Sequence, residues 1–104
     1  MAVTMSVLFE NSDANWSSLS DAQTAVNHAD TGVYAGESAK SLLEADVSAG
    51  KCSKTPTLVN STSMRVVYVY DRADDFNSML VEKNKIYSGT KGARSGWTVS
   101  TSVT

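Results

Sequence analysis

Residues 64–71, Met-Arg-Val-Val-Tyr-Val-Tyr-Asp, constrain the fold of this chain more than any other segment. A strand turns successive side chains to opposite faces, so Val66, Tyr68 and Tyr70 fall on one side and Val67 and Val69 on the other. Both faces are apolar, which predicts a central strand covered on both sides. The rest of the fold is read outward from it.

Two more segments alternate with a period of two. In residues 2–9, Val3, Met5, Val7 and Phe9 share one face and Thr4 and Ser6 the other. In Trp97–Val103, Trp97, Val99, Thr101 and Val103 oppose Thr98, Ser100 and Ser102. Both read as strands, and both are expected to be edges available to a neighbour. Residues 10–18 are rich in Asn, Ser and Asp and predict a turn.

Between Ser20 and Gly50 the chain becomes rich in Ala and nearly free of aromatic residues, which favours helix. Ser20 and Gln23 have the spacing of a capping box, and Asp21 suits the positive end of the helix dipole. Thr31-Gly32 should stop this helix near Asp30. A second helix is expected over Glu37–Ala49, with Ala39, Leu42, Leu43, Ala45 and Val47 inward and Gly50 as its C-terminal stop. Neither helix is long enough to stand alone, so each needs a sheet to lie on.

Pro56 should open a short strand, Thr57–Asn60. Asp71–Asp75 reads as a turn and Ser78–Tyr87 as a more polar strand, with an open loop punctuated by Gly89, Gly92 and Gly96 before the last strand. The order β-α-α-β-β-β-β predicts one α+β domain over residues 1–104, a mainly antiparallel sheet with two short Ala-rich helices packed on one face. Core candidates are Val7, Phe9, Leu42, Leu43, Val66, Tyr68, Leu80, Val81 and Val99. A faint echo links Phe9-Glu10-Asn11-Ser12-Asp13 with Tyr70-Asp71-Arg72-Ala73-Asp74, 61 residues later. It reads as two similar strand exits.

Composition bears on function rather than fold. Ser and Thr make up 26 of the 104 residues, while only 19% are charged. Hydroxyls on outward strand faces give a wet surface of weak electrostatic character. The net charge of −2 and the scattered cations argue against a nucleic-acid partner, which would demand clustered Lys and Arg. No apolar run approaches the roughly 18 residues of a membrane helix, so no membrane partner is expected. The N-terminus lacks the basic and apolar regions of a signal peptide, which predicts synthesis in the cytoplasm. A lone Cys52 excludes an internal disulfide.

Several constellations bear on chemistry. Asp71, Asp74 and Asp75, with Glu10 and Asp13, could offer oxygens to calcium, but the spacing is not that of an EF-hand and acidic turns commonly bond local backbone. His28 is the single imidazole and has no triad neighbours in sequence. Lys51 and Lys54 flank Cys52 and should lower its thiol pKa, which makes it the best reactive candidate; the expectation is nevertheless an unpaired thiol without a catalytic role. Residues 89–96 contain glycines and two cations but lack the spacing of a phosphate loop. No cofactor, metal or catalytic set is assigned. The stretches Phe9-Glu10 to Trp16 and Tyr70-Asp71 to Phe76 resemble the first hairpin of a βγ-crystallin motif, without its glycine. Met64–Tyr68 with Gly96-Trp97 is similar to a blade of the fungal fucose-binding lectins, at too long a spacing. Neither spans half the chain, and no family is assigned.

The expected function is a non-catalytic structural protein acting in many copies, such as a phage capsid or tail component, that associates with itself or other structural proteins through strands 2–9 and 97–103. The alternative is a small binding module. As a carbohydrate-binding domain it would use Trp97, Tyr87, Arg94 and Asp75, a ring platform beside charged hydrogen-bonding groups. As an acidic inhibitor it would present Asp71, Asp74 and Asp75 to a basic cleft.

Overall fold

The computed structural model describes residues 2–28, 37–87 and 96–104; for 27, 28, 37–42, 82–87 and 99 the backbone alone is described. Strand β1 (Val3–Asn11) is followed by helix α1 (Leu19–His28) and helix α2 (Glu37–Ser48). Strands β2 (Cys52–Asn60) and β3 (Ser63–Tyr70) form a hairpin, and helix α3 (Ala73–Tyr87) leads to strand β4 (Trp97–Val103). The fold is α+β. Among the described residues the sheet has the order β2-β3-β1-β4, antiparallel throughout. Among the described residues, helices on one face and this strand order make the split β-α-β, or ferredoxin-like, arrangement, with α1 and α2 both in the first crossover.

The register explains the core. Val3, Met5, Val7 and Phe9 face Tyr70, Tyr68, Val66 and Met64 across the β1–β3 ladder, all on the helix side. Phe9, Tyr68, Tyr70, Val66 and Val26 are almost wholly buried, and Phe76 and Met79 of α3 close over them. Each large apolar side chain so buried contributes roughly 1.5–3 kcal/mol.

Three sequence expectations give way here. Residues 78–87 are helix, not strand, and Asp71–Asp75 runs into the first turn of α3. Phe76, Met79 and Leu80 recur at helical spacing and pack on the core, while Asp74 and Asp75 sit at the positive end of the helix dipole. Val81 is off that stripe and 54% exposed, so it is not core. Val7, Phe9, Leu43, Val66 and Tyr68 are buried as expected and Leu80 is partly so; the side chains of Leu42 and Val99 lie outside the description.

Strand 2–9 is not an edge. β1 lies between β3 and β4, so among the described residues the edges are β2 and β4. The central strand β3 is covered on one face only: Arg65 is exposed and Val67 and Val69 are half-buried on the other. The antiparallel sheet tolerates this because its outer face is mostly hydroxyl-bearing.

The helix ends are built from local polar groups. Ser18, not Ser20, caps α1: its Oγ accepts the Asp21 N–H at 3.1 Å, and the Asp21 carboxylate accepts the Ser17 hydroxyl at 2.7 Å. Those bonds to Ser17 hold the Asp21 carboxyl below its ordinary pKa. The cap sits two residues earlier than expected, with Asp21 reaching back to Ser17 where a capping box would bond the N–H of the cap residue. At the end of α2, Gly50 has φ +77°, its N–H bonds Val47 O and the Lys51 N–H bonds Asp46 O. This is a Schellman cap, and it drops the chain directly into β2.

Hydrogen-bond parity fixes what each edge presents. Thr4 and Thr104 exchange both backbone bonds, at 3.1 and 2.9 Å. Bonded and non-bonded pairs alternate along an antiparallel ladder. Thr98, Ser100 and Ser102 therefore bond β1, and the backbone groups of Trp97, Val99, Thr101 and Val103 turn to the free side. Carried across the sheet, the same alternation points Lys54 and Pro56 outward on β2. Pro56, expected to start a strand, sits in mid-strand because its missing N–H falls on the unpaired side.

Candidate functional site

Two features concentrate polar chemistry on the helix side. A cleft of about 300 Å³ opens between α1 and the sheet, lined by Ser20, Gln23, Thr24 and Val26 and by Lys54, Pro56, Met64 and Val66. Its floor is apolar and its rim carries hydroxyls, an amide and one ammonium. Lys54 Nζ donates to Glu44 Oε1 at 2.7 Å, so its charge is already matched by α2.

Beside the cleft lies a small polar cluster. The Schellman turn sets the last turn of α2 against the start of β2, where Cys52 pairs with Tyr70. The Tyr70 hydroxyl donates to Asp46 Oδ2 at 2.6 Å, and its ring meets Phe76 edge-on at 5.6 Å. Burial, then the bond to Asp46, pushes the Tyr70 phenol pKa far up. Burial also raises the Cys52 thiol, reinforced by the negative charge of Asp46, Glu44 and Asp71 and opposed by a hydrogen bond to Tyr70. The flanking lysines do not lower it as their sequence position suggests, since burial and nearby carboxylates outweigh them. Cys52 is a buried free thiol held protonated at neutral pH, which is the poor form for a nucleophile.

At the other end of the sheet, Trp97 stacks at 5.8 Å and 34° on the buried Trp16. The 12–16 segment that delivers Trp16 is held by Asn11 Oδ1 on the Asp13 N–H and by the Trp16 N–H on Ser61 O. Trp97 is half-buried, so part of its ring is already used against Trp16.

The sequence-derived candidates do not converge. Trp97 lies opposite Asn11, whereas Asp71 follows Tyr70, which lies opposite Val3. Those positions are separated by the length of β1, about 26 Å at ~3.3 Å per residue. Asp75, in the first turn of α3, belongs to the Asp71 end and does not join Trp97. Asp71 and Asp74 are exposed, and Asp74 is 3.8 Å from Arg72. Tyr87 ends α3 with its side chain outside the description, and Arg94 and the rest of residues 88–95 also lie outside it. Among the described residues no group of three His, Cys, Asp or Glu could hold a metal ion. Glu10 and Asp13 lie at the Asn11 end, away from Asp71.

Sequence reasoning missed Asp46 and Tyr70 as a pair and the cleft residues altogether. The stop at Gly50, two residues before Cys52, was the one local signal that a helix end meets a strand start there.

The outer face of the sheet is of a different kind. Ser53, Thr55 and Thr57 line it on β2, and Thr98, Ser100 and Ser102 on β4. Thr4, Ser6, Leu8, Val67 and Val69 lie between them, with Arg65 and Glu10 as its exposed charges. Compared with models of protein families, with curated proteins and with solved structures, the chain matches none.

Proposed function

We propose that this chain is a non-catalytic assembly protein that acts in many copies, as the components of a phage capsid or tail do. The observation that carries this reading is the state of β4. Among the described residues its outer side is unpaired, and Ser100 to Thr104 are all exposed. It bears neither a charge nor a proline, the devices that keep edges from pairing. The outer sheet face adds a broad surface with two exposed charges, on which copies can approach without strong repulsion. Light scattering over a concentration series tests the reading: the mass should rise well above that of one 11.1 kDa chain, and a strict monomer at millimolar concentration would overturn it.

The cleft favours a second reading, a small binding module. Ser20, Gln23, Thr24 and Lys54 over an apolar floor suit a small neutral ligand with several hydroxyls, such as a saccharide. A glycan array with Gln23→Ala and Trp97→Ala as controls separates the cleft from the aromatic end.

A further inference from the structure

We infer that two copies of this chain pair β4 to β4 in antiparallel register centred on Ser100, joining their sheets into one of eight strands. The inference rests on the assembly reading and names its first contact. Trp97–Val103 has Ser100 at its midpoint, so a twofold axis there overlaps the whole strand with itself. In that register Trp97 meets Val103 of the second copy and Val99 meets Thr101. These are the residues whose backbone groups turn to the free side, so hydrogen-bonded pairs form with no slip.

The side chains agree with the backbone. On the outer face Ser100 meets Ser100 and Thr98 meets Ser102, hydroxyl against hydroxyl. On the helix face the Trp97 ring comes to lie beside Val103 of the second copy, which is 51% exposed in the single chain. Cross-strand pairs of this kind each add a modest stabilisation. No like charges meet, because β4 has none. A shift of one residue would set outward groups against inward ones and lose the ladder. The other edge offers no such partner: Pro56 interrupts its outward row, and Lys54, held by Glu44, places a charge on it.

Thr101→Pro removes an outward N–H while leaving the bonds to β1 in place, so the folded monomer should persist by circular dichroism as the self-associated mass is lost. Ser100→Cys places two thiols at the axis, in a non-hydrogen-bonded pair whose separation a disulfide can span. Mild oxidation with diamide should convert most of it to a covalent dimer. Ser102→Cys, roughly 13 Å from its own copy across the axis, should not cross-link. If the native chain associates but Thr101→Pro leaves its mass unchanged and Ser100→Cys fails to cross-link, the β4 pairing is wrong and the assembly reading stands on another surface. A native chain that stays monomeric overturns both. A mass that stops at two chains keeps the pairing and overturns the reading of many copies.

Discussion

The two edges of the sheet occupy equivalent places and carry opposite chemistry. A twofold axis through the Ser6–Val67 pair exchanges β1 with β3, taking Met5 to Val66, Val7 to Tyr68 and Phe9 to Tyr70. The same operation exchanges β2 with β4, so that Lys54 stands where Thr101 does and Pro56 where Val103 does. β2 is overlaid by α1 and α2, tied down by the Glu44–Lys54 ion pair and interrupted by its proline. β4 has exposed Thr101 and Val103 on its helix side and, among the described residues, neither a charge nor a proline on its rim. The difference lies in two side chains and in the helix cover, not in the strand pattern.

The largest effect should separate the inner strands from β4. Tyr70→Ala empties a buried site, strips Phe76 of its edge-on partner and leaves Asp46 unbonded. A loss of about 3–5 kcal/mol is expected in urea denaturation. Val103→Ala in the monomeric Thr101→Pro background should change stability by no more than about 0.5 kcal/mol. Comparable losses would mean that β4 is as well covered as the centre, and the contrast between the edges would collapse.

A smaller effect should appear with pH, and again on the β2 side. In the unfolded chain a thiol ionises near 8.5 and a phenol near 10. Folding raises both Cys52 and Tyr70 above those values. The unfolded state therefore releases its protons first, and the stability contributed, fully present below about pH 8.5, declines as pH rises. Stability measured from pH 7 to 11 should fall in the native chain, and Cys52→Ala with Tyr70→Phe should flatten the decline. A decline that persists unchanged in the double variant would place its origin elsewhere.

How far the chain could be read follows from where each feature is encoded. β1, β3, β4, α1, α2 and the Gly50 stop carry local periodicity or a cap, and they stand within a residue or two of their expected bounds. α3 was hidden because the unbroken polar run of residues 82–85, between Val81 and Ile86, shows no helical period and reads as a polar strand. Its helical stripe of Phe76, Met79 and Leu80 starts before that run. Strand order is not local: nothing in residues 2–9 says that they are flanked on both sides. The echo at 61 residues is the twofold offset that relates β1 to β3, although in sequence it reads only as two similar strand exits. The Cys52–Tyr70–Asp46 cluster needs the β2–β3 register and the end of α2 together. β4 is an edge among the described residues as expected, but residues 2–9 alternate without charge as well and are not, so the pattern does not mark an edge.

The smallest change in stability should give the sharpest test of the edge comparison. Pro56→Thr restores an N–H on the outward side of β2, where β3 does not use it. The folded contacts are nearly untouched, and the lost rigidity of the unfolded chain costs about 0.4–1 kcal/mol. Association should respond far more, because the variant gains a second edge able to pair. In the Thr101→Pro background, with β4 blocked, it should restore dimers through β2. Lys54 still guards that edge, so adding Lys54→Thr should strengthen the restored dimer, at the expense of the partly exposed ion pair with Glu44, which contributes up to about 1 kcal/mol. If light scattering finds the same mass before and after Pro56→Thr in both backgrounds, and Lys54→Thr adds nothing, then the proline and the lysine are not what closes β2. The cover of α1 and α2 would then have to account for the whole difference between the edges.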